Sequence, residues 1–88
     1  MASYSLRIKP SAARDLETLG TKADRRRVVD RIERLADDPR PRGRVKLTGA
    51  DLFRVRQGRY RIVYEIRDAE LVVLVIRVAD RRDAYRSG

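Results

Sequence analysis

The stretch Leu52–Tyr85, LFRVRQGRYRIVYEIRDAELVVLVIRVADRRDAY, decides the fold. It contains two β-branched runs, Tyr60–Ile66 and Leu71–Ile76, and arginines at positions 54, 56, 59, 61, 67, 77, 81 and 82. Phe53 and Val55 alternate with Arg54 and Arg56, and Tyr60, Ile62, Tyr64 and Ile66 alternate with Arg61, Val63 and Glu65. Period two is the mark of a strand with one buried face. Taking Gln57-Gly58 as the hairpin loop sets Arg56 opposite Arg59 and Arg54 opposite Arg61. That register puts four arginines on one face and Phe53, Val55, Tyr60, Ile62 and Tyr64 on the other. A one-residue slip would mix the two sets. Arg67-Asp68-Ala69-Glu70 makes a second turn. The following run, Leu71–Ile76, is apolar at every position, which predicts a central strand covered on both sides. Antiparallel return of that strand brings Arg81 near Arg61, with Tyr85 a little beyond.

Upstream, Tyr4–Ile8 alternates as a short strand, with Tyr4, Leu6 and Ile8 on one face. Pro10 ends it, and either Ser11 is the N-cap of a helix or Pro10 occupies its first turn. Ala12, Ala13, Leu16 and Leu19 form a helical stripe, and Gly20 is expected to stop that helix in the left-handed C′ manner. Thr21 caps a second, longer helix with Val28, Val29, Ile32 and Leu35 on its apolar side. Its Arg25–Arg27 run reads as a solvated helix face. Asp38-Pro39 ends it, because proline pushes the preceding residue out of the helical region. Arg40-Pro41-Arg42-Gly43-Arg44 is a basic connector, read equally as a plain solvated loop or a phosphate-contacting one. Val45-Lys46-Leu47 offers one more short strand. The fold class is α+β, a helical hairpin packed on a twisted antiparallel sheet in the order β-α-α-β-β-β, as one domain over residues 1–88.

The 88 residues hold 22 basic and 13 acidic side chains and a formal net charge of +9. The excess is uneven: residues 1–38 carry a net +2 and residues 39–88 a net +7. Arginine dominates the basic set, which suits planar, two-pronged recognition of phosphate and is equally the mark of a GC-rich genome. Such a balance attracts polyanions. There is no cysteine and no histidine, so neither a disulfide framework nor a zinc site is expected, and no cofactor. No apolar run is long enough to span a bilayer and no signal peptide opens the chain, which makes the cytoplasm the expected location.

The catalytic possibilities are correspondingly narrow. Without histidine the commonest neutral-pH base is missing, and no GxSxG, P-loop, HExxH or GxGxxG motif occurs. Glu65 is the one acid in the strand runs, and it is expected to pair with an arginine. What remains is arginine with tyrosine. RNA can be cut by its own 2′-hydroxyl, so an enzyme need only align that group, stabilise the crowded phosphate and protonate the leaving 5′-oxygen. Fixed guanidinium groups suit the phosphate. A tyrosine among arginines has its phenolate favoured below the usual value of about 10 and can take the 2′-proton. Taken singly, each arginine is equally a solvated strand residue, and Tyr85 a surface tyrosine.

The segments KLTG, LFRVR, GRYRIVYEI, LVVLVIRVADRR and the final AY resemble the RelE/ParE superfamily of small bacterial toxins, over nearly the whole chain. Gly58–Tyr64 followed by the apolar strand and basic tail is the most specific part. The resemblance implies a fold of RelE type, akin to small microbial ribonucleases, and a toxin neutralised by a cognate, acidic antitoxin. Its RelE branch comprises ribosome-dependent mRNA endonucleases that inhibit translation; its ParE branch poisons DNA gyrase without the nuclease residues. Residue by residue, the RelE pattern implies catalytic roles for Arg61, Arg81 and Tyr85. It implies RNA binding by Arg54 and Arg56, with Arg59, Lys46 and Arg82 beside them, and partners in the ribosome and mRNA. Well-known RelE members carry lysine where Arg54 and Arg56 stand. Arginine keeps its charge, so this pair implies phosphate binding and polarisation of the leaving oxygen without proton donation. The other readings are a ParE-type toxin and a non-catalytic basic RNA-binding module.

Overall fold

The computed structural model describes residues 3–48 and 51–80. Strand β1 (Ser5–Ile8) is followed by helices α1 (Pro10–Glu17) and α2 (Lys22–Asp37), then by β2 (Val45–Lys46), β3 (Leu52–Gln57), β4 (Tyr60–Arg67) and β5 (Val72–Asp80). The strands form one sheet in the order β1-β5-β4-β3-β2. Both helices pack on one of its faces, and the fold class is the α+β arrangement expected from the sequence.

One pairing departs from that expectation. β1 runs parallel to β5, with Ser5 beside Val72 and Ile8 beside Val75, and the other pairings are antiparallel. A parallel neighbour needs a long crossover, and the helical hairpin belongs to that crossover. β1 pairs only with the first half of β5, leaving the second half as an open edge. α1 covers that edge. The Ser11 hydroxyl donates to the Ile76 carbonyl at 2.8 Å, and the Val78 N–H donates to Asp15 Oδ2 at 2.8 Å. Ser11 therefore bonds to the strand and does not cap the helix. The N-cap is Lys9, with Pro10 in the first turn.

α1 also ends earlier than its glycine suggests. Thr18 is the C-cap, its hydroxyl bonded to the Asp15 carbonyl at 2.9 Å. Gly20 is not left-handed; among the described residues the glycines with positive φ are Gly43 and Gly58. What it supplies is room, since a Cβ there would lie 3.1 Å from Arg59 Nη2. Arg25 finishes the job at the helix end, donating from Nε to the Leu16 carbonyl at 3.0 Å and from Nη2 to Glu17 at 3.3 Å. A cation on the last carbonyls complements both the orphan acceptors and the helix dipole. α2 starts as its sequence dictates, with the Thr21 hydroxyl accepting from the Asp24 N–H at 3.0 Å. It buries Val28, Ile32 and Leu35.

The core lies between the helices and the inward row of the sheet: Phe53, Val55, Tyr60, Ile62, Tyr64, Ile66, Val73, Val75 and Val78. On β5 the inward positions change phase between Val75 and Val78. The pairs Val63–Arg77 and Tyr64–Val75 leave Ile76 over as a bulge, which lets two inward sets share one strand. That phase change accounts for Ile76 alone, whereas Val72, which is buried, and Leu74 alternate with the inward Val73 and Val75 on the other face. β5 is internal to the sheet as expected. Leu74, on its uncovered face beside Glu65, is only half-buried.

At one end of the sheet the connector after α2 is fixed in place. The buried Tyr64 hydroxyl donates to the Pro39 carbonyl at 2.7 Å, and the Tyr64 ring stacks on Phe53 at 5.9 Å. Burial pushes the Tyr64 phenol up to about 12. Arg40 grips Asp68 with both arms, at 3.1 and 2.7 Å, and Tyr4 donates to the same carboxylate at 2.7 Å. These partners, Arg40 first, hold the Asp68 carboxyl down to about 2. The Arg40 half of the basic connector is thereby structural.

Candidate nucleic-acid interface

The uncovered face of the sheet carries the arginines of the β3–β4 hairpin. Phe53, Val55, Tyr60, Ile62 and Tyr64 are buried, whereas Arg54 and Arg61 are half-exposed and Arg56 exposed. Both alternations agree, as the sequence requires, but the register differs by two residues. Arg56 pairs with Arg61, Arg54 with Val63 and Gln57 with Tyr60, so the loop is Gly58-Arg59. The reason lies in the turn. A two-residue hairpin loop needs positive φ at its first position. Gly58 takes φ 60° there, whereas Gln57-Gly58 as the loop would force Gln57 into that conformation. Because the offset is two, every side chain keeps its face. Arg54 and Arg61 become diagonal neighbours, not directly opposite ones.

Arg59, now in the turn, leaves the face. Its guanidinium bridges to Asp80 at 3.1 Å, bonds the Tyr60 hydroxyl at 3.1 Å and lies over the Tyr60 ring at 5.2 Å. Tyr60 in turn donates to Asp24 of α2 at 3.0 Å. Arg59 thus ties the hairpin tip to the helices and to the end of β5. Lys46 is also separated: it pairs with Phe53, so its position belongs to the helix-side face, while Val45 pairs with Arg54. Glu65 is held by Arg67 at 3.0 Å, which removes it as a free base. Arg81, Arg82 and Tyr85 lie outside the described residues. The described part of β5 ends with Asp80 opposite Tyr60 and Ala79 opposite Arg61, at the same end of the sheet as the Arg56–Arg61 pair.

The arginines of the chain divide by what they touch. Arg25, Arg40, Arg44, Arg59, Arg67 and Arg77 hold carboxylates or backbone carbonyls. Arg54, Arg56 and Arg61 have no ion pair among the described residues. Arg61 Nε is buried with no hydrogen-bond partner among the described residues. An orphaned donor of this kind costs about 1–3 kcal/mol, and its persistence asks for a functional reason. Beside them, at the edge of β3 that the two-residue β2 leaves uncovered, a cleft of about 460 Å³ is lined by Arg31, Arg42, Gly43, Val45, Arg54 and Arg56. Arg31 was not singled out from the sequence as a binding residue, since it reads as one more charge on a helix surface. Arg42 belongs to the connector read equally as a plain solvated loop or a phosphate-contacting one. Such an assembly can bind and polarise anionic oxygen, and among the described residues it has no free acid or neutral base. No group of three or more metal-binding side chains occurs among the described residues.

The sequence from residue 6 to 85 matches the family model of the ParE toxin of the type II toxin–antitoxin system parDE. The chain belongs to the RelE/ParE superfamily of toxins. Solved structures agree. The chain is similar to the toxin–antitoxin complex RelBE2 from Mycobacterium tuberculosis, with 32% identity, 92% of this chain and 94% of that one covered, and a TM-score of 0.80. It is similar to the archaeal RelE–RelB complex from Pyrococcus horikoshii, with 28% identity, 90% and 96% covered, and a TM-score of 0.77. It is also similar to the isolated RelE toxin of E. coli, with 27% identity, 97% and 94% covered, and a TM-score of 0.75. No curated protein matches at the level of sequence. Like those neighbours, this RelE/ParE toxin is a helical layer on one face of a sheet. Among its described residues no helix is long and apolar enough to cross a membrane.

Proposed function

We propose that this toxin is a ribosome-dependent mRNA endonuclease of the RelE type, which inhibits translation and is held inactive by an acidic antitoxin. The observation that carries the reading is the group Arg54, Arg56 and Arg61, gathered on the uncovered face with no carboxylate partner among the described residues. In the reaction, the 2′-oxygen bonds to phosphorus and the bond from phosphorus to the 5′-oxygen breaks. The products are a 2′,3′-cyclic phosphate and a 5′-hydroxyl, which takes its proton from water because Arg54 and Arg56 keep theirs. Arg61, with Arg81, stabilises the negative charge that builds on the phosphate oxygens. Arg54 and Arg56 hold the backbone and polarise the leaving oxygen. Tyr85 takes the 2′-proton or stacks on a base. Lacking histidine, and with no free carboxylate on this face among the described residues, the toxin relies on the ribosome to align the message. The antitoxin follows from the charge of +9 and from neighbours solved with RelB partners.

A second reading has its own observation, the match to a ParE family model: a toxin that inhibits DNA gyrase and cuts nothing. Two assays separate them. Purified toxin added to translating ribosomes should produce message fragments ending in cyclic phosphate, and gyrase supercoiling should proceed unaffected. Intact messages with supercoiling blocked would establish the ParE-type activity instead.

A further inference from the structure

The cleft at the edge of β3 is built from parts of the chain that share no local sequence. Arg31 comes from α2, Arg42 from the connector, and Arg54 and Arg56 from β3. The short β2 covers β3 only at Phe53 and Arg54, so the edge beyond is open and Arg31 reaches it from the helical layer. Gly43, with φ 90°, turns the connector there, and nothing lies within 4 Å of where its Cβ would stand. Val45, exposed at 42%, is the one large apolar side chain of the lining. Among the described residues no carboxylate lines the cleft, and none of its arginines has an ion pair. Other unpaired arginines, such as Arg7, Arg14 and Arg26, do not reach it. Four guanidinium groups so placed repel one another until an anion sits between them.

We propose that this cleft is a second backbone-phosphate subsite, in which Arg31 and Arg42 hold the RNA strand one phosphate away from the one at Arg61. The inference rests on the RNA reading of the arginine face. The geometry ties the two places together. Arg56 lines the cleft and is also the cross-strand partner of Arg61, and adjacent strands are about 4.8 Å apart. A single strand lying across β4 and β3 therefore passes from Arg61 over Arg56 and down the sheet edge toward α2. The volume of about 460 Å³ is in the range of small-ligand clefts, about 300–1,000 Å³. The sparse apolar lining argues against a helix laid in by its greasy side, which needs a row of anchors.

The test is equilibrium binding of the full-length toxin to 2′-O-methyl oligouridylate, a single strand that cannot be cut through its 2′-position. The dependence of log affinity on log salt counts phosphates engaged, at about 0.7 per contact on single strands. The double variant Arg31→Gln with Arg42→Gln should bind more weakly and lose about 0.7 from that slope, the share of one phosphate. Lysine at both positions should restore the slope, because it keeps the charge. If the glutamine pair melts before it can be measured, Arg42→Gln alone, on the exposed connector, should lower the slope by part of that roughly 0.7. An unchanged slope overturns the proposal. So does a slope that lysine fails to restore. An unchanged slope together with lost affinity for a glutamate-rich peptide would assign the cleft to an acidic protein instead. The readout involves neither ribosome nor cleavage. If wild-type toxin leaves messages intact while the slope still depends on Arg31 and Arg42, the nuclease reading fails and the subsite stands.

Discussion

Arg61 and Asp68 are both charged residues at the margins of one sheet, and their surroundings give them opposite work. Arg61 has a buried Nε with no partner among the described residues and neighbours of its own charge, Arg56 beside it and Arg54 on the diagonal. It costs stability where it stands. Arg61→Ala should leave the thermal midpoint unchanged or higher and reduce message cleavage on ribosomes by at least about a hundredfold, the scale for losing a preorganised charge donor. A variant that still cuts at the wild-type rate would remove Arg61 from the mechanism. Asp68 stabilises, through Arg40 and Tyr4. Its carboxyl is held near 2 against an ordinary value of 3.8. A depressed folded-state value means the stabilisation is present above about pH 4 and is lost as pH falls toward 2. Denaturant midpoints of Asp68→Asn should therefore lie below wild type at neutral pH, and the two should converge between pH 4 and 2. A gap that persists at pH 2 would place the effect in packing, not charge.

The β3–β4 hairpin is the element on which both core and candidate site depend. Period-two alternation assigns each residue to a face, and that assignment survived a register two residues away from the one the loop suggested. Phe53 is buried, stacked on Tyr64 and covered by Arg40 at 5.9 Å. Phe53→Ala should cost about 3–5 kcal/mol, as for a core aromatic. Arg54→Ala, one position along, should be neutral or stabilising, since it relieves like-charge crowding. Urea unfolding of the two variants tests this, and equal losses would contradict the face assignment. The turn is equally specific. Gly58→Ala places a side chain at φ 60°, where a left-handed conformation costs about 1–2 kcal/mol. The same change at Gly20 acts by a different route, crowding Arg59 at 3.1 Å.

At the scale of the whole molecule, charge is sorted. Arg25, Arg40, Arg59 and Arg77 hold elements together, and Arg67 holds Glu65 of its own strand. The cationic cleft and the Arg56–Arg61 pair have no carboxylate partner among the described residues. A toxin with a net charge of +9 should meet its acidic antitoxin through steering, with an association rate that falls steeply as salt rises. Stopped-flow mixing from low to high ionic strength measures this. A rate independent of salt would mean that apolar contacts alone bring the two together.

By itself, the sequence determined which residues are buried and which strands and helices form. Burial follows from periodicity, and Phe53 against Arg54, or Val28 against Arg31, is a local pattern in the chain. It also carried the family, because Gly58–Tyr64 and the strand after it are contiguous. Only the tertiary structure decided the parallel seat of β1, the bulge at Ile76 and the hairpin register. Each is a competition between pairings that look alike residue by residue. It also decided which arginines are occupied. Arg59 and Arg56 are three residues apart, yet one is held by Asp80 across the sheet and the other faces an open cleft with Arg31. Whether a guanidinium is spent on the fold or left for a ligand depends on carboxylates distant in sequence, and no local pattern records them.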